Sequence, residues 1–310
     1  MYLKELETFR IYYSQTIHPE LMRMERQRLR LLGLLAFSAF LLVGAFVIEL
    51  YLNLLVLTLA LSIPITFYIA YLVYRVQQFR RTFKPNVVNL ILHFIDEQPN
   101  YGQLAYDPRK FLTKDRFKQS KIFSTPAHYY AGEDYINGRV GEMPFEMCEL
   151  SVREIARTDN KLEVIFEGVF LYAVFNEEAE GSMVIWPRKM RKYLSRSIKA
   201  FTWEGGENVD HEILNERFRE RFLVYATEET HVVGILSEPM QDSILDYVDR
   251  TGKDIYLAFH DREIYAAVTE QKDLLEPFIF QSNLNFELVK EFYEDISLIL
   301  RVVQDFDQTH

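Results

Sequence analysis

The chain has 310 residues, 49% of them hydrophobic and 26% charged, with 35 Lys+Arg against 45 Asp+Glu for a net charge of −10. That composition excludes a disordered or low-complexity chain. Cys148, the one cysteine, excludes an internal disulfide framework and fits a reducing compartment.

The charge is divided unevenly. Residues 1–84 hold ten Lys+Arg against five Asp+Glu, whereas residues 85–310 hold 25 against 40. A basic segment beside apolar runs, followed by an acidic body, is the asymmetry of a membrane anchor carrying a soluble head. Neutralising phosphates needs a clustered cationic surface, and the head carries a net negative charge with nothing that requires a local basic patch, so no nucleic acid partner is expected.

Residues 1–30 form an N-terminal amphipathic helical segment. Leu3, Leu6, Phe9 and Tyr12 or Tyr13 recur at helical spacing, and Pro19 suits the first turn of a second helix. Residues 31–75 follow as a transmembrane hairpin. Its two uncharged runs predict spans over about 31–50 and 54–74, each close to the ~30 Å hydrocarbon thickness at about 1.5 Å per residue. The short link Glu49–Asn53 makes the spans antiparallel, with Glu49, Tyr51 and Asn53 at the far interface. Pro64 predicts a kink in the second span. The runs 31–48 and 54–74 carry no charged residue to mark an ion path.

Eight cations flank the spans. Arg23, Arg26, Arg28 and Arg30 precede the first, and Arg75, Arg80, Arg81 and Lys84 follow the second. The link carries none, so the positive-inside rule places both termini in the cytoplasm of a multi-pass plasma-membrane protein. Their expected role is orientation and headgroup contact in the lipid bilayer, with anionic-lipid recognition as the sharper alternative.

Residues 85–310 are expected to form a soluble α+β domain with a possible subdomain boundary near 200. Helices are predicted over 85–96 and over 107–118, the latter with Asp107 as N-cap and Pro108 as first helical residue. Short runs with period-two alternation then predict an antiparallel meander of about five strands over 128–186, cut by turn signals at Gly132, Asn137-Gly138 and Gly141. The basic stretch 188–196 has no clear period, and 203–210 reads as a loop. A short helix over 215–221 leads to a strand over 222–225. Ser237 caps a helix over 237–249, and 255–259 with 263–268 forms a hairpin around His260–Arg262. Leu274-Leu275 sits in a helical turn, and 285–305 is a long amphipathic helix. Strands in runs with segregated helices define an α+β head.

The stretches Lys121–Gly141, Phe166–Phe175, Phe222–Leu245 and Ile255–Pro277, together with the twin spans, resemble a bacterial membrane family called domain of unknown function 3137. The resemblance implies this architecture and a bacterial inner-membrane location. Some members are encoded beside LemA-type membrane proteins, which makes such a protein the implied partner. The family supplies no catalytic residues to carry over.

No G-x-S-x-G elbow, H-E-x-x-H pair, P-loop or G-x-G-x-x-G occurs, so the sequence assigns no catalytic residue and no cofactor. His128, His211, His231 and His260 stand alone rather than at metal-ligand spacing, and no metal ligand is assigned. Glu133-Asp134 and Glu228-Glu229 are the best acidic pairs for a hard cation, a role less common than that of solvated turn carboxylates. The expected function is therefore a non-enzymatic interaction or scaffold protein at the membrane. The alternative is a membrane-anchored enzyme or lipid-handling protein with a site assembled from scattered residues.

Overall fold

A computed structural model describes residues 2–52, 55–156, 161–175, 180–270 and 275–309. Asn53 in the link, Leu54 at the start of the second span and Leu274 in the short turn lie outside the described residues. The chain divides into two compact units, Met1–Phe94 with Leu274–Phe292 and Ile95–Asp273 with Tyr293–His310. Residues 85–94 and 275–292, expected in the head, therefore cluster with the apolar helices.

The first unit is helical. Helix α1 (Tyr2–Tyr12) passes through a π turn (Tyr13–Ile17) into α2 (His18–Leu52). Pro19 lies in the first turn of α2, as its sequence position predicts, and α2 follows the π turn without a break. The His18 N–H bonds to Tyr13 O with π spacing, and this widened turn lets the rod continue past a residue that has no N–H to give. Helix α3 (Leu55–Asp96) likewise runs through both Pro64 and Pro85. At 35 and 42 residues, α2 and α3 are about 50 and 60 Å long, so each is long and apolar enough to cross a membrane with turns to spare.

Those spare turns are packed. Phe9 meets Phe94 at 5.2 Å, Tyr13 meets Phe286 at 4.8 Å, and the Tyr12 hydroxyl donates to Leu90 O. Ile17, Leu21, Val87, Val88 and Ile91 are buried among them. Nearer the link the packing thins to a single seam that includes Leu31, Ser38, Ala45 and Leu72. Thr58 donates to Glu49 at 2.8 Å and ties the two helices near their linked ends. The outward side chains are bare: Phe40 is 72% exposed, Phe67 74% and Val56 82%.

The second unit is a sheet with helices. Its strands are β1 (Tyr101–Asp107), β2 (Tyr129–Val140), β3 (Met143–Ile155), β4 (Leu162–Val174), β5 (Ser182–Pro187), β6 (Glu207–Asn208), β7 (Phe222–Ala226), β8 (Ile255–His260) and β9 (Glu263–Thr269). These nine described strands form one antiparallel sheet in the order β1-β2-β3-β4-β9-β8-β5-β7-β6. Strands from both sides of residue 200 are interleaved in it. The helices are α4 (Lys114–Gln119), α5 (Ser195–Trp203), α6 (Glu216–Arg221), α7 (Val232–Ile235), α8 (Glu238–Thr251) and the end of α9 (Phe286–Thr309).

Local rules account for several boundaries. Ser237 accepts from Met240 N to cap α8, and Gly252 ends it in the left-handed conformation at φ 70°. The helix expected over 107–118 is not there. Tyr101–Asp107 pairs with β2 instead, Asp107 accepts from Arg109 N in a turn, and Thr113 caps the shorter α4. Strand pairing, which no local pattern reports, outweighs the Asp-Pro helix signal. Gly168 in β4 adopts φ 147°, where a Cβ would run into Val268 O. Only glycine fits that close approach.

Even-numbered residues of β4, β5 and β8, among them Phe166, Phe170, Val184, Trp186, Tyr256 and Ala258, and odd-numbered Tyr265 and Ala267 of β9 face a core that also takes in Phe117, Phe123 and Phe201. Odd-numbered residues of β8 are equally buried, so the strand reads as an unbroken apolar run rather than an alternation. Trp186 ties the even face together. Its ring packs on Phe201 and Tyr225, and its indole N–H donates to Ile122 O at 2.9 Å. Trp186→Phe keeps most of the apolar volume but leaves that carbonyl unsatisfied. It should cost about 1–3 kcal/mol, read as a lower urea midpoint of the second unit at unchanged m value. An unchanged midpoint would show that the bond does not hold the loop.

Candidate functional site

The loop 121–127 crosses the even face of the sheet between α4 and α5. It begins and ends on residues held in the left-handed region, Lys121 at φ 55° and Ala127 at φ 48°. Non-glycine residues stay there only when their surroundings over-determine them. Here the surroundings are the Trp186 bond to Ile122 O, a bond from Ser124 N to Ser197 Oγ at 2.8 Å, and one from Lys114 Nζ to Ala127 O at 2.6 Å.

Two recesses open beside this loop. The larger, of about 570 Å³, lies between the loop and α5 and is lined by Lys118, Lys121, Phe123, Arg196, Phe201 and Glu204 among others. The smaller, of about 320 Å³, is lined by Glu154, Glu163, Tyr193, Arg196, Ser197 and Tyr256 among others. Phe123, Ser124, Thr125 and Arg196 line both, so the two form one trough with Arg196 at its middle. Arg196 and the Thr125 hydroxyl both bond to Glu154 Oε2, at 2.9 and 2.8 Å. Lys121 pairs with Glu204 at 2.5 Å across the larger recess.

The trough offers cations, hydroxyls and aromatic walls. Among the described residues no histidine lines either recess, and the hydroxyl–carboxylate contact there, Thr125 to Glu154, shares its carboxylate oxygen with the Arg196 guanidinium. Burial pushes the Tyr256 hydroxyl above its ordinary range, which makes it a poor proton donor at neutral pH.

The strongly perturbed groups lie elsewhere in the unit. Lys253, at the end of α8, pairs with Asp295 at 2.7 Å and with Glu270, while Tyr247 donates to Asp295 at 2.7 Å. Burial raises Asp295 to about 6, and the two carboxylates hold the Lys253 ammonium above its ordinary range against its own burial. Lys253 therefore stays charged, and the network clamps the end of α8 to α9. Glu263 accepts from Arg116, Tyr172 and Tyr265 at 2.9, 3.0 and 2.7 Å, which docks α4 onto the β8–β9 hairpin.

Of the acidic pairs expected from sequence, Glu228 and Glu229 are exposed. Glu133 and Asp134 are joined by Glu149, with carboxylate oxygens of all three within 4.8 Å of one another. Strand pairing supplies the third, because Glu133 lies opposite Glu149. These residues could hold a cation, and Tyr106 donates to Asp134 beside them. The histidines do not converge. His128 accepts from Ile155 N, and His260 is buried with Nε2 on Ser120 O at 2.8 Å.

The eight flanking cations divide. Arg23, Arg26, Arg30, Arg80 and Arg81 are exposed, and Arg75 lies against Tyr71. Arg28 and Lys84 are buried, contrary to the headgroup role expected of them. Arg28 pairs with Glu25 at 2.5 Å and donates to Ile279 O, and Asn283 N donates to the same carboxylate. The Arg28 hydrogen bond holds Glu25 below the usual carboxylate range. The pair is a packing element of the first unit. The sequence reading missed it because its partners lie some 250 residues away.

Residues 164–308 match the profile of a family described as "Protein of unknown function (DUF3137)". This supports the resemblance over that stretch, while Lys121–Gly141 lies outside the matched residues. No curated protein matches the chain. Among solved structures, a crystal structure of the mycobacterial trehalose monomycolate transport factor A, TtfA, aligns over 63% of this chain and 88% of its own at 9% identity with a TM-score of 0.30. A likeness at that level carries no argument.

His260 generates a prediction. Burial lowers its basicity, so between pH 6.5 and its depressed folded value the unfolded chain binds a proton that the fold does not. Stability of the second unit should fall as pH drops below about 6.5. His260→Gln, which cannot titrate, should flatten that slope in urea unfolding followed at pH 5–8. A slope identical in the variant would remove His260 as its source.

Proposed function

We propose that the chain is an integral membrane protein whose hairpin crosses the bilayer twice and presents the sheet unit on the cytoplasmic side as a non-enzymatic binding module for another protein. The observation that carries this reading is the bareness of the apolar hairpin. Only 17% and 6% of the residues in the most apolar windows of the two long helices are buried. A core helix of a water-soluble protein would be covered, and an uncovered apolar surface of this extent calls for lipid or protein around it. Apart from Glu49, bonded to Thr58 near the link, the hairpin between the flanking cations carries no charge, which favours anchoring over transport. The exposed Arg23, Arg26, Arg30, Arg80 and Arg81 flank the apolar segments on the same side, which supports a cytoplasmic face for both termini.

The binding role rests on the trough, which has the donors and walls of a recognition surface, the hydroxyl–carboxylate contact of Thr125 with Glu154 being tied up with Arg196. The partner implied by the family resemblance is a LemA-type membrane protein.

Tyr51, 83% exposed at the end of α2, provides the test of topology. Burial pushes the Cys148 thiol up to about 12, so it stays silent to maleimide. A membrane-impermeant maleimide should label Tyr51→Cys in intact cells. Labelling only after the membrane is opened would invert the topology, and loss of the protein to the soluble fraction at high pH would remove the anchor altogether.

A further inference from the structure

The sheet unit belongs to a segment of net negative charge, yet one face of it gathers cations, of which Arg196 and Lys121 are paired with Glu154 and Glu204 and others stand without an ion pair among the described residues. Arg196, Lys199 and Trp203 follow one another at i, i+3 and i+7 on α5 and so share a face. Across the larger recess from Arg196 stand Lys118 and Lys121. Arg191 and Lys192 lie in the turn leading into the helix. Lys118, Arg191, Lys192 and Lys199 are exposed and make no ion pair among the described residues. At the two ends of α5 stand aromatic side chains that nothing covers, Tyr193 at 82% and Trp203 at 88% exposure. Trp, Tyr and Arg are the side chains that anchor protein interfaces.

We infer that the trough along α5 is the docking site for a short acidic segment of a partner protein, seated against Arg196, Lys199 and Lys118 and bracketed by Tyr193 and Trp203. This rests on the binding-module reading and names its partner's chemistry. Charge complementarity selects the acid. Field lines from the rest of the unit are screened within about 8 Å at physiological salt, so a short segment meets the local cations rather than the distant carboxylates. A long polyanion such as nucleic acid would run off the patch onto acidic surface. Arg196 and Lys121 line the recesses, where a chain reaches further than a flat bilayer, while Lys199 and Trp203 stand on the rim outside both, so a vesicle titration is part of the test. Tyr193 and Trp203 are ten positions apart, or about 15 Å along a helix. About five residues of extended peptide span that length. A bound acid would compete with Glu204 for Lys121 and with Glu154 for Arg196, which gives the site a requirement for several carboxylates in register.

The chain carries its own reporter. Trp186 is fully buried, so a change in tryptophan emission on binding reports Trp203. The full-length protein in phosphatidylcholine nanodiscs is titrated with acetylated hexaglutamate, and fluorescein-labelled hexaglutamate is followed in parallel by anisotropy. Saturable binding is expected, weakened by salt, with an emission change that Trp203→Phe abolishes. Arg196→Glu with Lys199→Glu should weaken it by about tenfold or more. Lys118→Glu, at an exposed side chain with no ion pair, should weaken it without any question of folding, which near-UV dichroism of Trp186 checks. No binding, or binding equal in the charge-reversed variants, would overturn the inference. So would a Trp203 response to phosphatidylglycerol vesicles without one to hexaglutamate, which would assign the face to lipid. Any of these failures leaves the membrane anchor, tested separately at Tyr51, where it stands.

Discussion

Exposed hydrocarbon is the constraint from which the architecture follows. Side chains such as Phe40, Phe46, Val56 and Phe67 point away from the seam between α2 and α3 and are covered by nothing in the chain. Water tolerates isolated apolar residues but not a continuous sleeve of them. Polar contacts within the sleeve are confined to positions that satisfy themselves: Ser38 donates to its own helix at Leu34 O, and Thr58 donates to Glu49 near the link. That economy is what a low-dielectric surrounding demands of polar groups. The turns of α2 and α3 outside the sleeve behave in the opposite way. They bury aromatics and even the Arg28–Glu25 pair, and so form an ordinary helical core.

The sheet unit solves a different problem. Its central strands are buried on both faces, and its even face must also support a loop that is neither helix nor strand. Trp186, Ser197 and Lys114 hold that loop by its backbone. The trough is a consequence: a backbone pinned at three points, one of them Ser197 of α5, leaves space on either side of that contact, bordered by side chains of α4, α5 and the sheet. Those that line it include the cations Lys118 and Arg196, set among the carboxylates Glu154, Glu163 and Glu204. The buried Lys253–Asp295–Glu270 network lies apart from the trough and ties α8 to α9, so perturbed titration in this unit marks structure rather than a reacting centre.

Much of this was legible in the residues. Apolar runs without charge named the two long helices, Ser237 and Gly252 bounded α8, and the alternation around His260–Arg262 named the β8–β9 hairpin. What could not be read was long-range. Strand β1 hides behind an Asp-Pro helix signal because its stabilisation comes from pairing with β2. The placement of β9 between β4 and β8 depends on which strands meet, not on any local pattern. The trough draws on residues near 120, 154, 163 and 196. Only its basic stretch at 188–196 left a trace in the sequence, with no period to say which way it faced. Arg28 looked like its neighbours Arg26 and Arg30 until its buried partners were seen.

The central claim is that lipid, not water or another part of the chain, surrounds the apolar hairpin. Spin labels at Phe40→Cys and Phe67→Cys, with the protein in nanodiscs, test it through collision with oxygen, which concentrates in hydrocarbon, and with a nickel chelate, which stays in water. The account predicts high oxygen and low nickel accessibility at both positions. Accessibility to nickel would place these side chains in water, and protection from both agents would place them in a protein interface. Either result would contradict the anchor on which the proposed function stands.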